Sequence, residues 1–371
     1  MVMNKEYDYL IVGAGLFGAV FSREMSKFNK RCLIIEGRSS IGGNCYTEKK
    51  DGIDIHVYGP HIFHTNNEVI WEYVNQFSEF NNYRHSPKVN YNGKIYSFPI
   101  NLMTLNQLWG VNTPEEAIKK IKEVSLKIDS PRNFEEWILS QVGDEIYEKF
   151  IKGYTEKQWG KDPKDLPASI IKRLPIRFSF DDNYFFDSYQ GIPTEGYTKL
   201  ITNIIGDTNV VLNTNYFDNK EYFNSISNKV VFTGKIDEYF NYKFGRLEYR
   251  SLEFKNELIG LPDYQGCSIV NYTDHSKKYT RITEHKHFNP IESDTTWITK
   301  EYPIPCSEGK IPYYPINDEG NNKLYLKYKL ESDSLNNVIF GGRLAEYKYY
   351  DMHQVIESAI NKANSEKENN P

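Results

Sequence analysis

Cysteine is scarce. Only Cys32, Cys45, Cys267 and Cys306 occur in 371 residues, and no two form a C-x-x-C pair. This argues against a disulfide scaffold and a zinc site, and the scattered thiols predict a reduced, cytoplasmic protein. Long apolar runs are missing as well: no stretch approaches the roughly 18 residues of a membrane span. The opening residues lack the long apolar region and small-residue cleavage site of a secretory leader, so none is expected. There is no basic excess. Lys plus Arg number 45 against 50 Asp plus Glu, a net charge of -5, which makes a general nucleic-acid binder a poor reading. An anionic small molecule stays open, because a few arginines in one cleft suffice. No internal repeat or long low-complexity tract occurs.

What remains is a globular composition, 39% hydrophobic and 26% charged, with length for two to three domains. Aromatics reach 15%, with 29 Tyr and 21 Phe. A general bias toward Tyr, Phe, Asn and Lys accounts for most of this; an aromatic-walled ligand site is the alternative.

Residues 9–12 are an apolar strand, Gly13-Ala14-Gly15-Leu16-Phe17-Gly18 a glycine turn, 19–28 a helix, and 31–36 a second apolar strand ending in Glu36. This is a βαβ unit. A helix is expected over 68–77. Asn92-Gly93 between two short alternating runs predicts a type I′ hairpin. From 102 to 158 the period turns helical, with starts at Thr113-Pro114-Glu115-Glu116, Asn133 and Asp144. Residues 160–175 carry three prolines and many charges, which suits a mobile loop. Val230-Val231-Phe232 is a buried strand stopped at Thr233-Gly234. Short β segments follow over 247–302, then Val338-Ile339-Phe340 before Gly341-Gly342-Arg343, and a helix over 352–363. Apolar strands at both ends of the chain predict one nucleotide-binding domain assembled from separated segments.

In the glycine turn, Gly13 permits the tight bend, Gly15 lets backbone approach a pyrophosphate, and Gly18 lets helix and strand pack closely. Phosphates would sit at the helix N-terminus, and Glu36 is placed to accept hydrogen bonds from an adenosine ribose. FAD and NAD are both open on this motif. The second glycine pair in Ile41-Gly42-Gly43-Asn44, with the late Gly341-Gly342-Arg343, favours FAD.

Longer stretches are more specific. They are Tyr58-Gly59-Pro60-His61-Ile62-Phe63-His64-Thr65, Lys152-Gly153-Tyr154-Thr155-Glu156-Lys157-Gln158-Trp159-Gly160, Ile170-Ile171-Lys172-Arg173, Tyr189-Gln190-Gly191-Ile192-Pro193, Arg281-Ile282-Thr283-Glu284-His285-Lys286-His287-Phe288 and the run from Gly341 through Tyr347 to Met352. On these runs the chain resembles the bacterial UDP-galactopyranose mutase family over nearly its whole length. The resemblance implies an α/β fold: a discontinuous Rossmann-like FAD-binding domain (1–82, 195–237, 316–371), a helical insert domain (98–187) with a mobile lid at about 160–175, and an antiparallel β-sheet domain (83–97, 188–194, 238–315).

It also implies site residues. Arg173, on the lid, and Arg281 clamp the pyrophosphate, which suits the always-charged, bidentate guanidinium. Tyr154 stacks on uracil with Thr155 beside it, Trp159 closes on the substrate, and Phe150 extends the same helical face. Tyr184, Tyr314 and Tyr349 approach the diphosphate or sugar, and Asn271 contacts the nucleotide. His61 and Ile62 lie beside the isoalloxazine, with His61 in a catalytic position. The remaining flavin contacts are Phe17, Gly37, Gly43, Asn44, Gly342, Arg343, Asp351 and Met352. His61 has no ligand-spaced partner, so no metal site is expected. His285 and His287, alternating on one strand face, read as structural. One departure stands out. Before Ser86-Pro87 the family pattern carries asparagine near the sugar pocket, and this chain has His85.

The implied activity is a redox-neutral interconversion of UDP-galactopyranose and UDP-galactofuranose through a reduced-flavin N5–sugar adduct, in a cytoplasmic homodimer. The flavin carrying the chemistry would explain why no Ser/His/Asp triad is evident. A flavin oxidase or desaturase shares the fold but needs no clamp arginines beside uracil-stacking aromatics. A non-catalytic UDP-sugar binder has no use for His61, Asp351 and Met352.

Overall fold

The computed structural model describes residues 5–167 and 176–369. The chain opens with β1 (Tyr7–Val12), α1 (Leu16–Ser26) and β2 (Cys32–Ile35). β1 and β2 run parallel, with Tyr9 opposite Cys32 and Val12 opposite Ile35, giving the expected βαβ unit. All of β2 is buried, so it reads as a continuous apolar run rather than an alternating one. β3 (Thr47–Lys50) and β4 (Ile53–His56) pair antiparallel. β5 (Phe63–Thr65) follows, then α2 (Glu68–Asn75), capped by Asn67, whose side chain accepts from the Val69 and Ile70 amides.

β6 (Lys88–Tyr91) and β7 (Lys94–Ser97) join through Asn92 and Gly93 at φ 51° and 85°, the positive pair a type I′ turn requires. The helical insert holds α3 (Leu102–Trp109), α4 (Pro114–Val124), α5 (Phe134–Ile146), a π-helical turn (Tyr147–Lys152) and α6 (Gly153–Trp159). Thr113 and Glu116 form a capping box at α4, and Asn133 caps α5. Gly143, at φ 74° and ψ 179°, breaks α5, so the helix restarts at Asp144 as expected. Leu105, Phe134, Ile138, Val142 and Phe150 build a core for this insert, shared with Val89 and Tyr96 of the β6–β7 hairpin. Of the expected lid, 160–167 contain a 3₁₀ turn at Pro163–Asp165. Arg173 and the rest of that lid lie outside the described residues.

β8 (Tyr189–Gly191), α7 (Gly196–Ile205), β9 (Asn209–Val211), α8 (Lys220–Ile226), β10 (Ser227–Phe232) and α9 (Ile236–Tyr239) come next. They precede β11 (Tyr249–Ile259), β12 (Ile269–Tyr272), β13 (Arg281–Glu284), β14 (Thr296–Pro305) and β15 (Tyr314–Pro315). α10 (Glu319–Asp333), β16 (Val338–Phe340) and α11 (Met352–Asn369) close the chain.

A five-stranded sheet, ordered β16-β10-β1-β2-β9, is parallel throughout. It draws its strands from both ends of the chain, and α11 packs directly on α1. A seven-stranded sheet, ordered β15-β11-β14-β13-β12-β6-β7, is antiparallel except where β12 meets β6.

Four expectations are corrected. β11 and β14 are long rather than short, because they pair along ten residues from Arg250–Pro305 to Ile259–Thr296. The 188–194 stretch does not join the large sheet: β8 pairs with β5 instead, Phe63 opposite Gly191. His285 and His287 lie in a 3₁₀ turn after β13, not on a strand face. The last helix runs past 363 to Asn369, since its Ala359 and Ala363 stay buried in the core.

Candidate active site

One cavity of about 970 Å³ runs from the glycine turn to the seven-stranded sheet. At its nucleotide end Gly13 takes φ 113°, and a Cβ there would meet Thr233 Oγ1 at 2.1 Å, so only glycine fits. Gly15 is the N-cap of α1 and offers no side-chain cap, which leaves the first helical amides for an anion. A Cβ on Gly43 would come within 3.2 Å of the Gly15 Cα, so the two glycine turns nearly touch. The Glu36 carboxylate accepts from the Ala14 and Arg38 amides, each at 2.9 Å. Each carboxylate oxygen accepts more than one bond, so capacity for ribose hydroxyls remains.

At the far end a cross-strand row sets the chemistry. Asn271 on β12 stands opposite Arg281 on β13, which stands opposite Glu301 on β14. Opposed residues share a sheet face, and all three line the cavity. Arg281 Nε lies 3.5 Å from Glu301 Oε1, and Nη2 donates to Tyr154 Oη. Burial disfavours the Arg281 charge, but Glu301, Tyr154 and Tyr314 outweigh it and hold its pKa well above the usual arginine value. Burial raises the Glu301 pKa, with Arg281 opposing. The result is a fixed cation at the cavity wall. Tyr314 and Tyr349 stack at 5.9 Å, and the Arg343 guanidinium sits 4.7 Å from the centre of the Tyr349 ring.

Three histidines sit between these ends. The His61 amide donates to His56 Nδ1, and its own Nδ1 lies 2.8 Å from the Gly59 carbonyl. The carbonyl can only accept, so Nδ1 carries the proton and Nε2 the lone pair. Burial lowers the His61 pKa to about 4, against the pull of Gly59. Burial, with Arg281 and His64, lowers that of His85 to about 3. Both rings are therefore neutral at physiological pH. The third, His64, has its Nδ1 2.5 Å from Asp187 Oδ2.

This cavity joins a dinucleotide cradle to a cationic, tyrosine-rich pocket, and the comparisons with known proteins agree with that pairing. A profile for a Rossmann-like NAD(P)-binding domain matches residues 11–77, and the profile for UDP-galactopyranose mutase matches residues 149–349. The chain belongs to the UDP-galactopyranose mutase family. A probable UDP-galactopyranose mutase of Klebsiella pneumoniae is 43% identical over 97% of this chain and 94% of that protein. A dTDP-fucopyranose mutase of Escherichia coli is 42% identical over 96% and 97%. A crystal structure of reduced UDP-galactopyranose mutase superposes with TM-score 0.75 at 13% identity, covering 98% and 96%, which shows the shared fold.

The mutase is thus an isomerase with FAD as cofactor, and its residues fit that group. Besides the glycine cradle, Arg38 Nη1 and Arg343 Nε are buried donors with no hydrogen-bond partner among the described residues. Both arginines line the cavity. Phe17, Gly37, Asn44, Ile62, Gly342, Asp351 and Met352 line it too, as do Phe150, Tyr154, Thr155 and Tyr184.

Two expected residues do not line it. Gly18 packs inward instead, where a Cβ would meet the Gly13 carbonyl oxygen at 2.1 Å. Trp159 packs against the insert core; five residues beyond Tyr154 on α6 puts it about 140° around the helix. Arg173 lies outside the described residues. Sequence reasoning missed Glu301, Arg38, Phe185 and the role of His64. Arg38 alone had a nearby signal, two residues after the acid that ends β2. Away from the cavity, His287 sits 3.3 Å from Asp263 and 3.4 Å from Glu284. Its bonding to Glu284 outweighs burial and raises its pKa, consistent with an ion-paired structural cluster.

Proposed function

We propose that this mutase interconverts UDP-galactopyranose and UDP-galactofuranose. The Asn271–Arg281–Glu301 row facing the flavin cradle across one cavity supports this most directly. When bound, reduced FAD supplies an electron-rich nucleophile and no net electrons. Arg281, with Arg173 from the lid, holds the diphosphate and stabilises its charge as UDP departs. Tyr154 packs the base, and Tyr314 and Tyr349 hold the phosphate–sugar junction. The neutral His61 offers Nε2 as an acceptor for a sugar hydroxyl proton. Phe150, Thr155, Tyr184 and Asn271 complete the substrate wall. The domain division expected from the resemblance is kept as proposed, with 188–194 moved to the cofactor side. No described helix is long and apolar enough to cross a membrane. A cytoplasmic homodimer belongs to the same proposal.

The test is a single assay of pre-reduced enzyme with UDP-galactofuranose, separating ring forms. Pyranose product without net flavin oxidation supports the reading. Product only from oxidised enzyme, with stoichiometric flavin reduction, sinks it in favour of an oxidase.

The dTDP-fucopyranose mutase relative supplies a second reading, in which the sugar is a 6-deoxyhexose on a thymidine nucleotide. His85 is the observation that favours it. Its buried neutral ring lies against Tyr184 at 5.4 Å and Phe185 at 5.7 Å, a wall suited to a methyl group. His85→Asn is expected to move the kcat/KM ratio of UDP-galactose over dTDP-fucose toward UDP-galactose by about tenfold, the low end of the worth of one methyl contact. An unchanged ratio would place residue 85 outside the sugar's reach.

A further inference from the structure

Residues 176–188 form neither helix nor strand, yet they carry Tyr184 and Phe185 into the cavity wall. A segment without a ladder needs other partners for its backbone. Buried Arg177 supplies them upstream, donating to the carbonyls of Asp181, Asn183 and Phe185. Asp182 is held by Lys88 at 2.8 Å and Ser86 at 3.2 Å. Downstream the anchor is different in kind. Asp187 Oδ2 meets His64 Nδ1 at 2.5 Å, and Asp187 Oδ1 accepts from Asn66 at 2.5 Å. The Ser188 amide donates to Asn66 Oδ1 at 2.9 Å.

His64 is the central residue of β5, two positions after Ile62 and three after His61 on the cofactor side of the cavity. The Phe185 ring lies flat over the His64 ring, centroids 3.7 Å apart and planes at 14°. The Tyr184 amide donates to the His85 carbonyl at 2.6 Å. One carboxylate therefore ties the aromatic wall at the sugar end to the strand beside the flavin position.

We propose that Asp187, acting through His64, is a positioning residue that sets the aromatic wall against the reacting sugar. The carboxylate fixes the His64 ring as an acidic partner fixes an imidazole in other sites, and the ring fixes Phe185 by stacking. The pair is half-sheltered, with side chains 13% and 21% exposed, so its charge-assisted bond is stronger than that of a surface ion pair. The fold does not hang on it. Phe63, Thr65 and Ile192 around it are buried in their own right, and the upstream anchors remain. Its loss should loosen where the sugar sits while leaving UDP and flavin held.

This rests on the mutase reading, and the test separates the two. Wild type, Asp187→Asn, His64→Gln and the double variant are compared for flavin content, melting temperature, UDP affinity by calorimetry, and kcat and KM in the ring interconversion. Each single change is expected to lower kcat about tenfold, the scale of one charge-assisted hydrogen bond, with UDP affinity held within about twofold. Because the two act as one unit, the double variant should be no slower than the worse single one. Should Asp187→Asn lose its flavin, His64→Gln carries the same readings. Unchanged kcat in the single variants, losses that multiply in the double, or a parallel fall in UDP affinity would overturn the proposal. A wild type that converts neither UDP-galactose nor dTDP-fucose would instead overturn the mutase reading.

Discussion

Arg281→Ala is expected to lower kcat/KM about a hundredfold or more, by losing a charge-assisted contact to the diphosphate worth roughly 1.5–3 kcal/mol and the stabilisation of departing UDP. The flavin should stay bound, because Arg281 stands on the seven-stranded sheet and not in the glycine cradle. A second effect follows from its partner. Glu301 is 3% exposed, and burial already raises its pKa while Arg281 opposes. A carboxyl whose pKa is raised on folding binds its proton more tightly in the native state. Stability therefore falls as pH rises from the unfolded carboxyl value through the folded one. Removing Arg281 deletes the opposing influence and deepens that loss. The variant's melting temperature should trail wild type more at pH 8 than at pH 5. Adding Glu301→Gln should recover the melting temperature and not the turnover. Near-normal turnover in Arg281→Ala, or an activity recovery in the double variant, would mean that the cation is structural and not a clamp.

Gly18→Ala is expected to yield a protein without flavin. A Cβ at residue 18 would lie 2.1 Å from the Gly13 carbonyl oxygen and 3.0 Å from Ile11 Cγ2. The first neighbour is backbone in a turn already at positive φ, so it cannot yield by rotating a side chain. α1 must lift off β1, which moves its amides away from the phosphate position. Overpacking of this kind costs about 1–3 kcal/mol, and here the cost falls on the cofactor's own anchor. The check is flavin absorbance after purification and after adding FAD. Gly260→Ala, with nothing within 4 Å of its Cβ, serves as the control and should be yellow. A yellow Gly18→Ala protein of normal affinity would mean the helix–strand contact does not hold the cradle.

The cradle was legible because its signals are local. Strand, glycine turn, helix and terminal acid sit within thirty residues, and the backbone demands on Gly13, Gly15 and Gly18 leave little choice of side chain. The caps at Thr113 and Asn133 and the Asn92-Gly93 turn were legible for the same reason. Glu301 was not. It meets Arg281 only because β13 and β14 fold back in one register, and nothing near Glu301 in the sequence distinguishes it from a surface acid. Asp187 is hidden likewise, since its partner lies 123 residues earlier. Trp159 shares a family run with Tyr154 yet stands outside the cavity lining, because the α6 rotation turns its ring toward the insert core. β8 misled because pairing with β5 depends on partners no local period encodes.

The order of the parallel sheet has a consequence for how the protein is made. Its edge strand β16 and the helix α11 come from the last forty residues, and Tyr9 reaches Glu366 across the finished domain at 2.9 Å. On the ribosome, at about 5–20 residues per second, β1 can pair with β2 at once but must wait for β10, its neighbour on the other side, from far along the chain. The β6–β7 hairpin and the helical insert after it are contiguous and share one core, so they can settle while the chain is still growing. The flavin site is therefore completed late, because Gly342 and Arg343 follow β16, whereas Gly13, Gly15 and Gly18 lie in the first βαβ unit.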